Sequence, residues 1–444
     1  MTRQNPALTD GAGYRAGIKG FDALVLDGNF RQSMRVTHNL GRAGLRVAVG
    51  EAASECSPHT PGFQSRYCAR TVVFPSYSVD PAAYADAVLD FIRENPTRVV
   101  LPTGDGSISA LSARRADFSA LGTALAIASE DALAIANDKD RTLRLAGELG
   151  IDYPRSLPVG SLADLRAAAV ELGFPMVLKP VTSWAHAAAS RVAAVVAVDE
   201  TEARDVAGQF LACGVRFLAQ EYAIGRREGV TLMIVAGEVI VSFAHTEHRT
   251  MPQLGGASTL RESIAMPADT QDSAIRLAKA IGIEGTCAVE FRRNREGRPL
   301  LMEVNARIGG ALDSVTSAGI DLPVLLWQWA TGQQVQRPAS YRTGVRTRWL
   351  QGDIRWLGAN LNRVGRPDSE PMRRALLMFI GEFTRTWRYD YFSFRDPKPG
   401  LAELRLCLNS VLRFATLMRA RKSRAAEYTG LAPEWGPSAE VVRK

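Results

Sequence analysis

Glu290 and the run Glu303-Val304-Asn305-Ala306-Arg307 carry the residue types with the most definite chemistry in this chain. In strands, side chains alternate between faces. Glu303, Asn305 and Arg307 then project together toward whatever Glu290 faces on the preceding strand. Two carboxylates, an amide oxygen and a guanidinium converge. Hard oxygen donors of this kind suit Mg²⁺, with Mn²⁺ as the alternative ion, and such an ion takes one or two carboxylates plus substrate phosphates. The arginine adds a planar donor fork for phosphate oxygens. The apolar flanks Ala288, Val289, Leu300, Leu301 and Met302 mark the carboxylates as buried, and buried carboxylates need partners. The expected chemistry is that of a nucleotide-dependent enzyme.

The elements that must position these groups follow from periodicity. Ala23 to Asp27 reads as an apolar strand, Phe30 to Arg42 as a helix closed by Gly44, and Leu45 to Val49 as a second strand. This is the rhythm of a parallel, helix-covered sheet. Val99 to Leu101 and Ala124 to Ile127 extend it. Ligands in such sheets lie beyond the carboxyl ends of strands, so Gly28, Asn29, Ser33, Thr103 and Asp105 are candidates for holding a substrate, ordinary turn formation being the other reading. No G-x-G-x-x-G occurs there, so a dinucleotide site lacks its fingerprint. Asp138 to Gly150 reads as a helix, Phe174 to Leu178 as a strand ending on Lys179, and Val192 to Val198 and Phe217 to Tyr222 as further strands. Val230 to Val235 and Val239 to Phe243 form a hairpin. Polar loops are expected at Ala244 to Arg249 and Gly255 to Thr259, and a helix from Ala311 to Thr331.

Composition sets outer limits. With 444 residues, 46% of them hydrophobic, the chain has material for two or three domains with real cores. No uninterrupted apolar run approaches the roughly 18 residues of a membrane span. Residues 1–19 are polar and glycine-rich, which reads as a mobile arm and not as a secretory signal. The five cysteines are scattered without metal-ligand or disulfide spacing, which fits a reducing cytoplasm. His245 and His248 have no third ligand at zinc spacing. Net charge is +8, but no RNA-binding pattern accompanies it, so no nucleic-acid partner is expected. Leu401, Leu404, Leu408, Val411, Leu412, Ala415 and Met418 recur at helical spacing, followed by Arg419, Arg421, Lys422 and Arg424. Packing against the enzyme is the default for such a stripe, and an anionic membrane surface is the alternative.

Four stretches fall in one order: Asn137-Asp138-Lys139, Val177-Leu178-Lys179-Pro180, Gln220-Glu221-Tyr222-Ala223-Ile224-Gly225 and Leu301 to Arg307. Together they resemble the ATP-grasp superfamily over residues 138–335. The resemblance implies an α/β chain in four parts: an arm (1–20), a parallel-sheet pre-ATP-grasp domain (21–137), a two-lobed ATP-grasp domain (138–335) and a helical extension (336–444). It also implies that Lys139 and Lys179 reach the nucleotide phosphates, that Gln220, Glu221 and Tyr222 meet adenine, and that Glu228 meets the ribose. Glu290, Glu303 and Asn305 would hold the metal, with Arg307, Arg249 and Gly256 at the reacting phosphate and His186 near it. The family's glycine-rich phosphate loop is here Val181 to Ser190, where alanines and serines replace glycine and resist positive φ. The implied reaction is ATP-dependent ligation of a small-molecule carboxylate to an amine through an acyl phosphate. A carboxylase acting on bicarbonate and a nucleotide-binding module without turnover are the alternatives.

Overall fold

The computed structural model describes residues 20–182, 184–185, 190–191, 193–252, 256–362 and 369–408. The arm through residue 19, half of the phosphate loop including His186, and the stripe and basic residues beyond 408 lie outside these.

The N-terminal part is a five-stranded sheet of β1 (Phe21–Val25), β2 (Val47–Ala52), β3 (Cys68–Phe74), β4 (Thr97–Leu101) and β5 (Ala124–Leu125), ordered β3-β2-β1-β4-β5. All its pairings are parallel. Strands β1, β2 and β4 are buried nearly throughout, as expected where helices cover both faces. The helix Arg31–Arg42 follows β1, as the apolar period requires.

Next comes a four-stranded sheet of β6 (Ser156–Val159), β7 (Met176–Pro180), β10 (Val195–Ala197) and β11 (Phe217–Glu221), ordered β10-β7-β11-β6. Between β7 and β10 sits the short pair β8 (Trp184–Ala185) and β9 (Ser190–Arg191). The helices Leu162–Leu172 and Glu200–Ala212 pack on this sheet around Met176, Leu178, Phe217 and Ala219, which form a core of their own. That separate core is the physical meaning of a lobe.

A six-stranded sheet completes the site: β12 (Arg226–Val235), β13 (Glu238–Met251), β14 (Ala257–Ile264), β15 (Gly285–Arg293), β16 (Pro299–Asn305) and β17 (Arg346–Arg348), ordered β16-β15-β12-β13-β14-β17. Val230, Leu232 and Ile234 of β12 face the helix Ala268–Ile281, with Leu277 and Ile281 in the same core. The intervening residues Arg227, Gly229 and Thr231 therefore face the other way.

Three expectations are corrected. Ala244 to Arg249 is not a loop: β13 runs on to Met251, because Ala244 to Met251 pair with β14 on one side and as far as Glu247 with β12 on the other. Polar side chains misled the reading, since this strand is paired on both edges and its inward face is itself polar. The helix expected over Ala311 to Thr331 is two, Leu312–Ala318 and Leu322–Ala330, broken at Gly319, where φ is 114°. The segment beyond 335 is not wholly helical either, since it supplies β17 to the edge of the large sheet before the helices Leu350–Asn362 and Met372–Gly381. No helix among the described residues is long and apolar enough to cross a membrane.

Candidate active site

Glu290 and Glu303 stand directly opposite one another on β15 and β16, and Ala288 opposes Asn305. The register shifts between Glu290 and Phe291, leaving Met302 as the extra residue of a bulge. Such bulges re-aim backbone groups. Here the Met302 carbonyl accepts a hydrogen bond of 2.7 Å from Lys179 Nζ, which comes from β7 of the smaller sheet. Lys179 Nζ is 3.8 Å and Lys139 Nζ 4.0 Å from Glu303 Oε2. Lys139 opens the helix Lys139–Glu148, whose first turn is capped by Asp138. Two ammonium groups from separate elements thus meet one carboxylate.

Asn305 Nδ2 donates to Glu290 Oε1 at 3.4 Å and to Glu303 Oε1 at 3.3 Å. Arg307 donates to Asn305 Oδ1 at 3.1 Å and holds Asp105 through both Nε and Nη2. Asp105 begins the helix that follows β4, so the N-terminal sheet contributes directly to the cluster. Glu290, Glu303, Asn305 and Arg307, expected together from strand alternation, and Lys139 and Lys179, expected near phosphates from the family resemblance, lie in one cluster.

Burial, then Glu303 and Glu247, push the Glu290 carboxyl up to about 8. Burial pulls the Lys179 ammonium down to about 8 against the attraction of Glu303. A region with two facing carboxylates favours a cation between them. The neutral amide NH₂ of Asn305 only donates to the two carboxylates, and turning the amide over would present Oδ1 alongside the carboxylate oxygens. The donor set therefore fits a hard divalent ion.

Further groups lie on this face, of which the sequence singles out only His245, and that as a rejected zinc ligand. A row of backbone pairs runs His245, Gly229, Glu290, Glu303 across four strands. The next row contains Glu247, Arg227 and Arg292. Arg227 Nη1 lies 3.3 Å from Glu247 Oε2, and His245 Nε2 lies 3.8 Å from Glu247 Oε1. Burial would raise the Glu247 carboxyl, but His245 and Arg227 outweigh it and bring it down to about 2. His245 is 4% exposed, and its Nδ1 is a buried atom without a hydrogen-bond partner. Alternation through Phe243, His245 and Glu247 would have located these groups had the strand been read to its end.

Other assignments fare differently. Glu228 lies on the opposite face of β12 from Arg227, held by Arg293, Arg226 and Thr270. The odd-even alternation of β12 turns it away from the carboxylate cluster, so a ribose contact is not what this geometry provides. Arg249 is also displaced: its guanidinium donates to Asp353 at 2.6 Å and to the Met378 carbonyl at 2.9 Å, and it stacks on Trp356. The C-terminal segment claims it. The Gly256 N–H is not open to an oxyanion, since it donates to the Pro252 carbonyl at 3.0 Å. Gln220 is fully buried, donating to Ser156 Oγ at 2.8 Å, with Oε1 unpartnered. Glu221 is paired with Arg155 at 3.3 Å, and its N–H goes to the Arg155 carbonyl. Tyr222 is hydrogen bonded to Arg292. On the N-terminal sheet, Ser33 bonds Thr103 at 2.6 Å and the Asn29 N–H donates to Glu51 at 2.6 Å, so these polar groups tie loops together.

Residues 248–353 match the sequence family described as ATP-grasp in the biosynthetic pathway with Ter operon. A D-alanine--D-alanine ligase of Ectopseudomonas mendocina is 28% identical over 211 residues, 44% of this chain and 64% of that protein. The chain thus spans less than two thirds of the length of that relative. Among solved structures, a biotin carboxylase from Campylobacter jejuni superposes with a TM-score of 0.56 at 16% identity, covering 74% of this chain and 75% of that one. An L-amino acid ligase from Bacillus licheniformis gives 0.54 at 19% identity, covering 71% and 75%. The structural likenesses establish a shared fold.

Proposed function

We propose that this chain, allied with the ATP-grasp superfamily by the family match over residues 248–353 and by the D-alanine--D-alanine ligase relative, is an ATP-dependent ligase joining a small-molecule carboxylate to an amine. The observation that carries this reading is the convergence of Glu290, Glu303 and Asn305 with Lys139, Lys179 and Arg307 from four different parts of the chain. Phosphoryl transfer is chiefly positioning and charge neutralisation, and these groups offer that without a covalent nucleophile.

In this reading a carboxylate oxygen of the substrate attacks the γ-phosphorus of ATP and ADP leaves. The amine nitrogen then attacks the acyl carbon of the resulting acyl phosphate, inorganic phosphate departs, and the amine gives up a proton. Glu290, Glu303 and Asn305 would hold a divalent cation, which supplies neutralising charge to the phosphates when bound. Lys139 and Lys179 offer point charges from neighbouring segments, joined where the Lys139 N–H donates to the Val181 carbonyl at 2.9 Å, and Arg307 offers a fork fixed by Asp105. His245 and Arg227, on the same face, are further candidates for contact with a transferring group. Backbone groups around Gln220, Glu221 and Tyr222 remain the proposed adenine edge.

The test is ADP release from ATP and Mg²⁺ across a panel of amino acids and other carboxylates, each with and without an amine, with mass measurement of products. A product whose mass equals that of acid plus amine less one water supports ligation. ADP release that follows bicarbonate alone would instead support a carboxylase, and nucleotide binding without ADP release a module lacking turnover.

A further inference from the structure

The surface of residues 371–408 has an unusual composition. Its exposed side chains are apolar or basic, apart from Thr384. The acids of the segment are all buried and engaged. Glu382 is bound by Arg346, Asp390 by Arg31 and Arg261, Asp396 accepts from Ser65 and the Arg66 N–H, and Glu403 accepts from the Gln351 N–H. Arg373, Arg374, Arg385, Arg388 and Arg405 by contrast are exposed, with Arg374 reaching back to Glu370, just before the segment, at 3.3 Å.

The apolar members are large and far out of the fold: Leu377 is 71%, Trp387 79% and Phe394 94% exposed. On the helix Met372–Gly381, Met372, Leu376 and Ile380 recur at four-residue spacing, and each is about half exposed or more. In the helical residues 397–408, Leu401, Leu404 and Leu408 form a second exposed stripe, while Ala402, Glu403 and Cys407 take the inward positions. The stripe expected to pack against the enzyme is thus outward over its described part. Beyond it the sequence continues with Arg413, Arg419, Arg421, Lys422 and Arg424 before the next acid, Glu427.

We propose that the 371–408 surface docks on an anionic lipid bilayer. Aromatic and aliphatic side chains ringed by arginines match the interface of such a membrane, where rings sit at headgroup level and guanidinium groups meet lipid phosphates. Charge decides against a second copy of this chain as the occupant. A self-complementary contact would bring one-signed arginine fields together with no exposed acid within the segment to receive them. The inference stands apart from the reaction proposed above.

The experiment is cosedimentation of the full-length protein with phosphatidylglycerol-containing and with pure phosphatidylcholine vesicles, at low and at high salt. Binding is expected to the anionic vesicles at low salt, falling at least tenfold in high salt and on neutral vesicles. Two variants locate it: Leu377→Glu/Trp387→Glu/Phe394→Glu and Arg373→Glu/Arg374→Glu/Arg388→Glu. Both alter exposed positions, so both should melt near the parent temperature while losing at least tenfold in vesicle binding. Absence of binding to anionic vesicles at low salt overturns the proposal. So does undiminished binding by both folded variants, or a dimer in light scattering that the first variant dissociates while vesicle binding is unchanged.

Discussion

Gly229 lacks a side chain where the ring of His245 lies: a Cβ at Gly229 would stand 2.2 Å from Cε1 and 2.7 Å from Nε2 of the imidazole. The two residues are paired across β12 and β13, and Gly229 is paired on its other side with Glu290. The glycine therefore lets an imidazole lie flat against the strand that neighbours the carboxylate cluster. Gly229→Ala is expected to displace the ring and to destabilise by about 1–3 kcal/mol, the usual cost of overpacking. Thermal unfolding beside ADP-release assays would check it, and unchanged melting and turnover would show the ring has room to spare.

Glu303→Gln should abolish Mg²⁺-dependent turnover while the circular dichroism spectrum stays that of the parent. An amide keeps the volume but loses the charge that faces Lys139 and Lys179 and that would face a divalent cation. Since one such contact is worth a few kcal/mol, the loss should be on the order of a hundredfold or more. Near-normal activity would remove Glu303 from the metal set.

Lys179→Ala separates phosphate binding from architecture. The ammonium is expected to serve phosphate and not base, so calorimetry should show ATP weakened far more than adenosine. Because Lys179 Nζ also donates to the Met302 carbonyl, a structural role has its own signature. Equal weakening of both ligands, together with a lowered melting temperature, would reveal it.

The buried Glu403 predicts a pH dependence. Burial raises its carboxyl from 4.5 to about 8 in the folded protein. The unfolded chain then gives up that proton at lower pH than the folded one. Stability from this group is fully present below about 4.5 and declines as pH rises through about 8, by on the order of a few kcal/mol. Glu403→Gln keeps an acceptor for the Gln351 N–H and removes the ionisation. The variant should gain on the parent in melting temperature between pH 5 and pH 8 and match it near pH 4. A constant difference across that range would contradict the assignment.

What could be read in the sequence was what strand alternation and ordered spacing encode. Glu303 and Asn305 share a face because period two leaves no other arrangement along β16, whereas the pairing register sets Glu290 opposite Glu303 and Arg307 joins them from just past the strand end, with Lys179 near the end of β7 beside them. The parallel N-terminal sheet was equally open to reading, since its strands are apolar runs divided by a helical period. Alternation also assigns Glu228 and Arg227 to opposite faces, but which face meets the cleft depends on where the helix Ala268–Ile281 packs, a tertiary fact. Arg249 misled for a related reason. Its partners Asp353 and Met378 are remote in sequence, and nothing local marks an arginine as belonging to them. Polar residues from Ala244 to Arg249 resembled a loop because a strand lining a charged cleft carries the composition of one.

β17 has a consequence for any shortened form of the protein. Arg346, Thr347 and Arg348 pair with Glu262, Arg261 and Leu260 of β14, so the segment beyond the recognisable catalytic core shields the last edge of the six-stranded sheet. A chain ended near residue 335 would keep every residue of the carboxylate cluster. It would also leave the β14 amides and carbonyls open to pair with another molecule, an invitation to edge-to-edge aggregation. Such a fragment would also strip the buried Arg249 and Arg261 of Asp353 and Asp390, whereas an end point that keeps β17 together with those two acids holds the edge closed and the arginines paired.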